Sequence, residues 1–462
     1  MGSCLAKDLC AMIQTEPMKL APDPQVPPPE PATCGPIATP PGTTGLRVWL
    51  ALALILAVGI ALRVMPWHGY PWIGFDENLY KVYVEKLDAQ GLGAYPVISA
   101  EYVARQRATP KAFLPPTRFL YIFFSATWRA TFYGDAKYQK VQTLEDVKTD
   151  PTLKSMRAIS TLFTCLTLLV GAAFARRLAG DGAMLGVTAL MACAPTQLHM
   201  AQHGLIDGFF AFWALTALWL LWENLQSTNN PRWLAAYGAT LALMVMTKEN
   251  AAFVTFALCC VIAIAHFARW GFVTRNLLLV TVIGPTVGLV ALITLAGGVH
   301  VFVDIYQLLV SKAENLSYAI ATGDGPWYRY IVDLLLASPL ILLLAVSMVL
   351  QLRRTEHALL YVTAFIACSY VFMCNVKYGM NLRYANMWDM PLRLLAFTQL
   401  GLLTTRLPQR WIQPGLCLVV AGLCAFDLHQ YQVLFVNFDR DYEMITTNLL
   451  YALKILKLMP PN

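Results

Sequence analysis

Two adjacent carboxylates, Asp76 and Glu77, lie in the segment GFDENLY, about ten residues beyond the first stretch able to cross a bilayer. A carboxylate at the membrane surface can take a proton from a substrate hydroxyl group, which is the work of a general base. The surrounding aromatic residues are typical of a membrane interface, and they can raise the pKa of a carboxylate by excluding water. The alternative is a pair of ordinary exposed loop acids.

A second polar cluster contains His199, His203 and Asp207, spaced four residues apart. This spacing places three titratable side chains on one face of a helix, provided that Gly204 does not break it. Two histidines and an aspartate could hold a divalent metal ion. No glutamate lies between the histidines, so this is not the metalloprotease motif. The alternative is a set of polar side chains that line an aqueous cavity.

Three basic residues are candidates for binding an anion. Lys248, in the segment KEN, can neutralise a phosphate or simply pair with Glu249. Arg329 follows the turn GDGPW, where it can hold a phosphate in a bidentate fork or act as an interfacial anchor. Arg383, followed by Tyr384, opens an apolar segment, and a cation at a helix N-terminus is unfavourable unless an anion is nearby.

The composition indicates a membrane protein. Hydrophobic residues make up 57% of the 462 residues, charged residues 13%, and the mean hydropathy is +0.53. A soluble protein carries about 25% charged residues. The net charge of +7 fits basic cytoplasmic loops, and no basic run with interleaved aromatic residues suggests a nucleic-acid partner. The 11 cysteines are scattered without a CxxC motif, as expected of small buried hydrophobic residues.

The apolar segments predict an all-α polytopic fold. A membrane-spanning helix needs about 20 mostly apolar residues. Eleven segments are candidates, at roughly 46–65, 157–178, 183–199, 205–223, 233–248, 251–268, 277–298, 332–352, 357–375, 385–404 and 411–428. The segment 113–133 is also apolar but carries Arg118 and Arg129, so we expect an interfacial helix there.

Arginine residues in alternate loops predict the orientation. With the N-terminus in the cytoplasm, every short inside loop carries arginine, as the positive-inside rule requires. The polar clusters then all lie on the non-cytoplasmic side, and a transporter would more often hold such groups near the bilayer midplane within repeats. We expect a disordered, proline-rich cytoplasmic tail at 1–45, a transmembrane catalytic domain at 46–430 with outer loop 66–156, and a non-cytoplasmic tail at 431–462.

These motifs, in this order, resemble the GT-C glycosyltransferases related to dolichyl-phosphate-mannose–protein mannosyltransferases and bacterial aminoarabinose transferases, a glycosyltransferase family 39-like group. The resemblance runs from about residue 46 to about residue 405 and is carried by FDENLY, LPPTRFLYIF, MRAIST, HMAQHGLIDGFFAFW, MTKENAAF, GPWYRYIVDLLLASP and NLRYANMWDMPLRLLA. It implies a GT-C fold with about 11 transmembrane helices and interfacial helices in the first outer loop.

The resemblance also implies roles for single residues. The catalytic base would be Asp76, next to Glu77, and the second acidic motif matches Asp207. Lys248, Arg329 and Arg383, followed by Tyr384, would contact the phosphate of the donor.

The implied function is transfer of a sugar, with inversion, from a polyprenyl-phosphate donor to an acceptor hydroxyl on a lipid, glycan or protein. We expect no required cofactor, although a divalent metal could bind at His199, His203 and Asp207. The expected location is a bacterial inner membrane, with the active site on the periplasmic side. The alternatives are a surface-polysaccharide ligase or polymerase, and a transporter or flippase of lipid-linked sugars.

Overall fold

The computed structural model describes residues 45–66, 72–134, 136–315, 326–375, 380–438 and 442–454. Over these ranges the chain forms helices joined by loops, and they contain no β-strand. The expectation of an all-α membrane fold is therefore confirmed. The predicted tail at 1–45, except for residue 45, lies outside the described residues, as do the glycines of the turn at 323–325.

The outer loop and the first half of the bundle contain twelve of the helices. They are α1 (Leu46–Val64), α2 (Phe75–Gln90), α3 (Tyr95–Ala108), α4 (Phe119–Tyr133), α5 (Leu144–Thr149), α6 (Pro151–Ala192), α7 (Pro195–Gln202), α8 (Ile206–Gln226), α9 (Pro231–Val245), α10 (Ala251–Ala268), α11 (Arg275–Leu295) and α12 (Val299–Ser311).

The remaining described helices follow the segment 316–325. They are α13 (Arg329–Ala337), α14 (Pro339–Val349), α15 (His357–Met373), α16 (Asp389–Thr404), α17 (Gln409–Tyr431) and α18 (Tyr442–Ala452). Two irregular pieces matter for the site, a 3₁₀ segment at Leu382–Trp388 and a π-helical turn at Gln432–Val436.

Six described helices are long and apolar enough to cross a membrane: α1, α6, α8, α10, α11 and α17 with its π-helical turn. The helices α12, α14 and α15 are apolar but shorter. The predicted number of eleven spans is thus not confirmed. The predicted spans 157–178 and 183–199 fall mostly within α6, which bends at Ala179 and Gly180. Gly180 has a φ of 80°, a conformation that glycine adopts without strain.

Two segments of the structure add detail to the predictions. The predicted span 332–352 is divided at Ser338, because Pro339 starts a new helix there. The segment 299–331, which lies between the predicted spans 277–298 and 332–352, begins with the amphipathic helix α12. Its buried Ile305 packs with Tyr102 and Val103 of α3, whereas Val299, Val303 and Val310 of the same helix are exposed.

The first outer loop is built from helices that rest on the bundle. The segment 113–133, predicted as an interfacial helix, forms helix α4, which starts at Phe119 after the proline pair of LPPT. One apolar core joins α2, α4 and α8. The ring centroid of Tyr121 in α4 lies 5.8 Å from that of Tyr80 in α2 and 5.7 Å from that of Phe209 in α8. This core fixes the start of α2 above the ends of α6 and α8.

Some of the membrane helices pack closely against each other. α9 and α11 approach so closely that a Cβ atom added at Gly284 would lie 2.8 Å from the carbonyl oxygen of Gly238. Small residues at such crossings are usual in membranes, where packing rather than hydrophobic burial holds helices together.

Arg177, one of the arginines that the positive-inside pattern assigns to an inside loop, lies at the opposite end of α8 from Asp207. Arg177 pairs with Glu223 near the end of α8, with Nε 2.8 Å from the carboxylate oxygen. Asp207 is in the first turn of the same helix, 16 residues earlier, which corresponds to about 24 Å along the axis. The two groups of charges therefore occupy opposite ends of α8.

Candidate active site

Asp76 lies in the first turn of α2 and faces the bundle. Its side chain is 11% exposed, and Oδ2 accepts a hydrogen bond of 2.9 Å from Nη1 of Arg383. Arg383 belongs to the 3₁₀ segment, whose start is capped because the side chain of Asn381 accepts the backbone N–H of Arg383 at 2.8 Å. The structure thus joins the N-terminus of α2 to the segment that precedes α16.

The same guanidinium group approaches a second carboxylate. Nη1 of Arg383 is 3.8 Å from Oδ2 of Asp207, and Oδ1 of Asp207 accepts a hydrogen bond from Nζ of Lys248. Nζ of Lys248 also lies 3.9 Å above the ring centroid of Tyr384, a cation–π contact. We call Asp76, Asp207, Lys248, Arg383 and Tyr384 the charged cluster. All five are predicted site residues, and the structure brings them together.

Lys248 has an unusual electrostatic environment. It is buried in the turn between α9 and α10, and loss of hydration lowers its pKa to about 8. Attraction to Asp207 opposes this shift, whereas repulsion by Arg118 and Arg383 adds to it. With this pKa, Lys248 is mainly protonated at neutral pH and loses its charge as the pH rises through about 8.

Arg118 and Glu249 border the cluster and were not among the predicted site residues. Arg118 is buried, with Nε 3.2 Å and Nη2 3.1 Å from Oε2 of Glu249, and it also donates to the hydroxyl group of Tyr80. Burial would raise the pKa of Glu249, but Arg118 holds it below its usual value. The available sequence signal was the position of Arg118 directly after LPPT, which we interpreted only as part of an interfacial helix.

Glu77 faces away from the charged cluster. Its carboxylate accepts from Nε and Nη2 of Arg157 at 2.9 and 3.1 Å, from the N–H of Gly204 at 2.5 Å and from the N–H of Gly74 at 2.7 Å. Burial would raise the pKa of Glu77, but Arg157 and His203 hold it well below its usual range. This fully bonded carboxylate ties the start of α2 to α6 and to the turn before α8.

The predicted metal ligands are not gathered into a site. The helix breaks between Gln202 and Ile206, so the expected common face of His199, His203 and Asp207 does not form. Nδ1 of His203 lies 3.7 Å from Glu77, and the ring of His199 lies against that of His203, with centroids 4.4 Å apart. No group of three His, Cys, Asp or Glu side chains in the described part of the chain is arranged to hold a metal ion.

Arg329 is buried at the start of α13. Its Nη2 donates to Oγ1 of Thr447 in α18 at 2.9 Å, so this contact joins two helices.

An apolar cavity of about 380 Å³ opens beside the charged cluster, between α9, α10, α11 and α12. Lys248 and Glu249 form its polar end, and its walls are largely apolar, with Phe256, Leu289 and Phe302 among them. Chemically, the arrangement combines two carboxylates, two cations and an apolar cavity. It can accept a proton, hold an anion and bind a hydrocarbon chain.

Comparison with known proteins found one matching family and several similar solved structures. The dolichyl-phosphate-mannose–protein mannosyltransferase family matches residues 99–311 of the chain. No curated protein matches the whole sequence significantly.

Among solved structures, the oligosaccharyltransferase AglB from Archaeoglobus fulgidus, in complex with an inhibitory peptide and a dolichol-phosphate, is similar with a TM-score of 0.54 and 13% identity. The match covers 84% of this chain and 56% of that one. The apo form of the same enzyme gives a TM-score of 0.53 and 14% identity, covering 90% of this chain and 57% of that one.

ArnT from Cupriavidus metallidurans in the apo state is also similar, with a TM-score of 0.49 and 14% identity over 88% of this chain and 74% of that one. The chain spans little more than half the length of the archaeal enzyme. At these identities the archaeal structures show that the fold is shared, and the shared fold is GT-C.

Proposed function

We propose, from the premise that the chain is a GT-C glycosyltransferase family 39-like membrane protein, that it transfers a sugar from a polyprenyl-phosphate carrier to the hydroxyl group of an acceptor. The observation that carries the proposal is the contact of Asp76 with Arg383, which shares Asp207 with Lys248, a residue that lines the apolar cavity. A base, cations for a phosphate and a groove for a hydrocarbon tail are the three parts that this reaction needs.

Asp76 is the proposed general base. Its carboxylate takes the proton of the acceptor hydroxyl group as that oxygen attacks the anomeric carbon of the sugar. The bond between the anomeric carbon and the phosphate oxygen breaks, and its electron pair stays with the polyprenyl phosphate. One displacement from the opposite face inverts the anomeric configuration.

Lys248 and Arg383 are the proposed phosphate ligands. In the structure both are buried and compensate carboxylates, Lys248 at Asp207 and Arg383 at Asp76. Positive groups fixed in a poorly hydrated site stabilise the charge that develops on a leaving phosphate. Tyr384 carries the ring against which Lys248 is placed. Arg329 is proposed as a third phosphate ligand on the basis of its sequence motif. In the structure, one of its contacts is the hydrogen bond to Thr447.

The cavity beside Lys248 is the proposed site of the isoprenoid tail. Each buried CH₂ group contributes roughly 0.8 kcal/mol, so even part of a polyprenyl chain would bind there with useful affinity. The archaeal enzyme with the same fold has a structure in complex with a dolichol-phosphate, which supports a lipid phosphate as the ligand class.

The side chains themselves provide the charge that the chemistry requires, and we therefore propose a reaction without a resident metal. The proposed location is the inner membrane of a bacterium, with the charged cluster on the periplasmic side. This assignment follows from the arginines of the alternate loops. The acceptor is proposed as a lipid, glycan or protein that presents a hydroxyl group at this surface.

The test is transfer by the purified protein in lipid nanodiscs. Radiolabelled polyprenyl-phosphate sugars are incubated with membrane lipids, glycans or peptides, and both labelled product and released polyprenyl phosphate are measured. Wild type should transfer, Asp76→Asn should not, and Glu101→Gln, which changes an exposed acid of the same outer loop, should behave as wild type. Movement of intact donor across proteoliposomes without transfer would instead identify a flippase.

A further inference from the structure

Arg383 is shared between the proposed base and the proposed phosphate site. Its Nη1 is 2.9 Å from Oδ2 of Asp76 and 3.8 Å from Oδ2 of Asp207. All three side chains are nearly buried, with exposures of 7, 11 and 3% for Arg383, Asp76 and Asp207. The guanidinium group therefore lies between two carboxylates in a site with little water.

Arg383 holds one oxygen of the proposed base. Oδ2 of Asp76 accepts the hydrogen bond of the guanidinium group, so this oxygen does not receive the proton of an acceptor hydroxyl group while the contact lasts. A buried cation is strongly disfavoured without a counter-charge, and Asp207, 3.8 Å away, provides part of that charge when Arg383 moves off Asp76. A further anion that contacts Arg383 would complete the compensation and favour its departure from Asp76. The phosphate of a lipid-linked donor is such an anion. Its proposed position next to Lys248 is close to the contact between Arg383 and Asp76, because Asp207 lies near both Lys248 and Arg383.

We infer that the donor phosphate and Asp76 compete for Arg383, so that binding of the donor releases the base for the acceptor. This inference rests on the proposed function and deepens it. Arg383 is then a positioning residue as well as a phosphate ligand. The donor binds first, because the acceptor hydroxyl group finds a competent base only after Arg383 has exchanged its carboxylate partner for the phosphate.

The neighbouring pair has a different design. Lys248 donates to Asp207, and its Nζ also lies over Tyr384, so Lys248 keeps a favourable contact when its carboxylate partner shifts. Asp207 in turn can remain near Arg383 or Lys248 throughout. When Arg383 exchanges its partner, Asp76 loses the guanidinium contact, whereas Asp207 keeps its contact with Lys248.

The test is binding of farnesyl phosphate, a short polyprenyl phosphate, to the detergent-purified full chain. Removing the competing carboxylate should tighten binding: Asp76→Asn by about tenfold, and Asp76→Ala at least as much, because alanine cannot accept a hydrogen bond from Arg383. Farnesol, which has the same tail without phosphate, should bind all variants alike. Glu101→Gln, an exposed acid of the outer loop, serves as the charge control and should match wild type.

A double-variant cycle separates competition from simple loss of a negative charge near an anion. In an Arg383→Ala background, Asp76→Asn should no longer tighten farnesyl phosphate binding. The inference would be overturned if Asp76→Asn tightened binding equally in the Arg383→Ala background, or if neither Asp76 variant bound farnesyl phosphate more tightly than wild type. In either case, sugar transfer by the wild type would leave the proposed function intact. A wild type that neither binds farnesyl phosphate nor transfers sugar would overturn both.

Discussion

The guanidinium group of Arg383 donates to the carboxylate of Asp76 at 2.9 Å, although 307 positions separate the two residues in the chain. Asp76 begins the outer-loop helix α2, and Arg383 lies in the 3₁₀ segment before α16. The contact joins two sequence motifs that had been assigned different tasks, one acidic and one anion-binding. If the two residues have the proposed roles, the hydrogen bonding of the base depends on whether the phosphate site is occupied.

Asp76→Asn should reduce sugar transfer by about 10²-fold or more, because the amide cannot take the acceptor proton. The substitution preserves size, and Asp207 remains 3.8 Å from Arg383 as a counter-charge, so the unfolding midpoint should fall less than in Glu77→Gln. The measurements are single-turnover transfer with radiolabelled donor and unfolding in detergent. Near-normal transfer would remove Asp76 as the base.

Glu77→Gln should act mainly on stability. The Glu77 carboxylate is fully buried and bonded to Arg157, Gly204 and Gly74, and breaking a buried ion pair costs about 3–5 kcal/mol. We expect a clearly lower unfolding midpoint, with partial rescue when Arg157→Gln removes the uncompensated cation. A Glu77→Gln protein that unfolds like wild type yet has no turnover would instead place Glu77 in the chemistry.

Donor affinity should fall as the pH rises through about 8. The buried Lys248 has a pKa of about 8, so it is mainly protonated below that pH and loses its charge above it. A phosphate monoester has its second pKa near 6, so the charge of farnesyl phosphate is constant over this range. The dissociation constant should therefore increase between pH 7 and 9.5 for wild type. Lys248→Arg, which stays charged, should abolish this dependence, and an identical pH profile in the two proteins would contradict the role of Lys248.

Substitution of Arg383 by alanine should weaken donor binding more than substitution by lysine. A charge-assisted contact is worth about 1.5–3 kcal/mol, so Arg383→Ala should weaken binding of a polyprenyl-phosphate donor by roughly 10- to 150-fold. Arg383→Lys should weaken it less, since it keeps the charge but loses the fork.

For Arg329, the proposed role predicts a similar loss of donor affinity on change to alanine. The matched control is Thr447→Val, which removes the described partner of Arg329 without changing charge. Donor binding should be normal in Thr447→Val. If both variants lower the unfolding midpoint and neither affects donor affinity, Arg329 serves to join α13 to α18.

The orientation can be tested by cysteine labelling in a chain whose 11 native cysteines are replaced by alanine. Glu145→Cys, on exposed α5 of the outer loop, should react with a membrane-impermeant maleimide in intact cells. Arg354→Cys, in the exposed loop between α14 and α15, should react only after permeabilisation. The reverse pattern would invert the proposed topology.

Local features of the sequence determined the class of protein and the position of most candidate residues. Apolar runs predict membrane helices because a helix in lipid must satisfy its backbone internally, and that requirement acts over about 20 consecutive residues. The arginines of alternate loops then predicted one side of the membrane for Asp76, Asp207, Lys248 and Arg383, because the positive-inside rule applies to each short loop by itself.

Only the tertiary structure decided which charges meet. Glu77 and Asp76 are neighbours in sequence, yet helical geometry turns one to Arg157 and the other to Arg383. His199, His203 and Asp207 have helical spacing, but the break before α8 separates them. Arg118 gave only a local signal and became part of the site through Glu249, 131 positions away. Ion pairs between distant segments depend on how helices pack, and hydropathy and spacing along the chain carry no information about that packing.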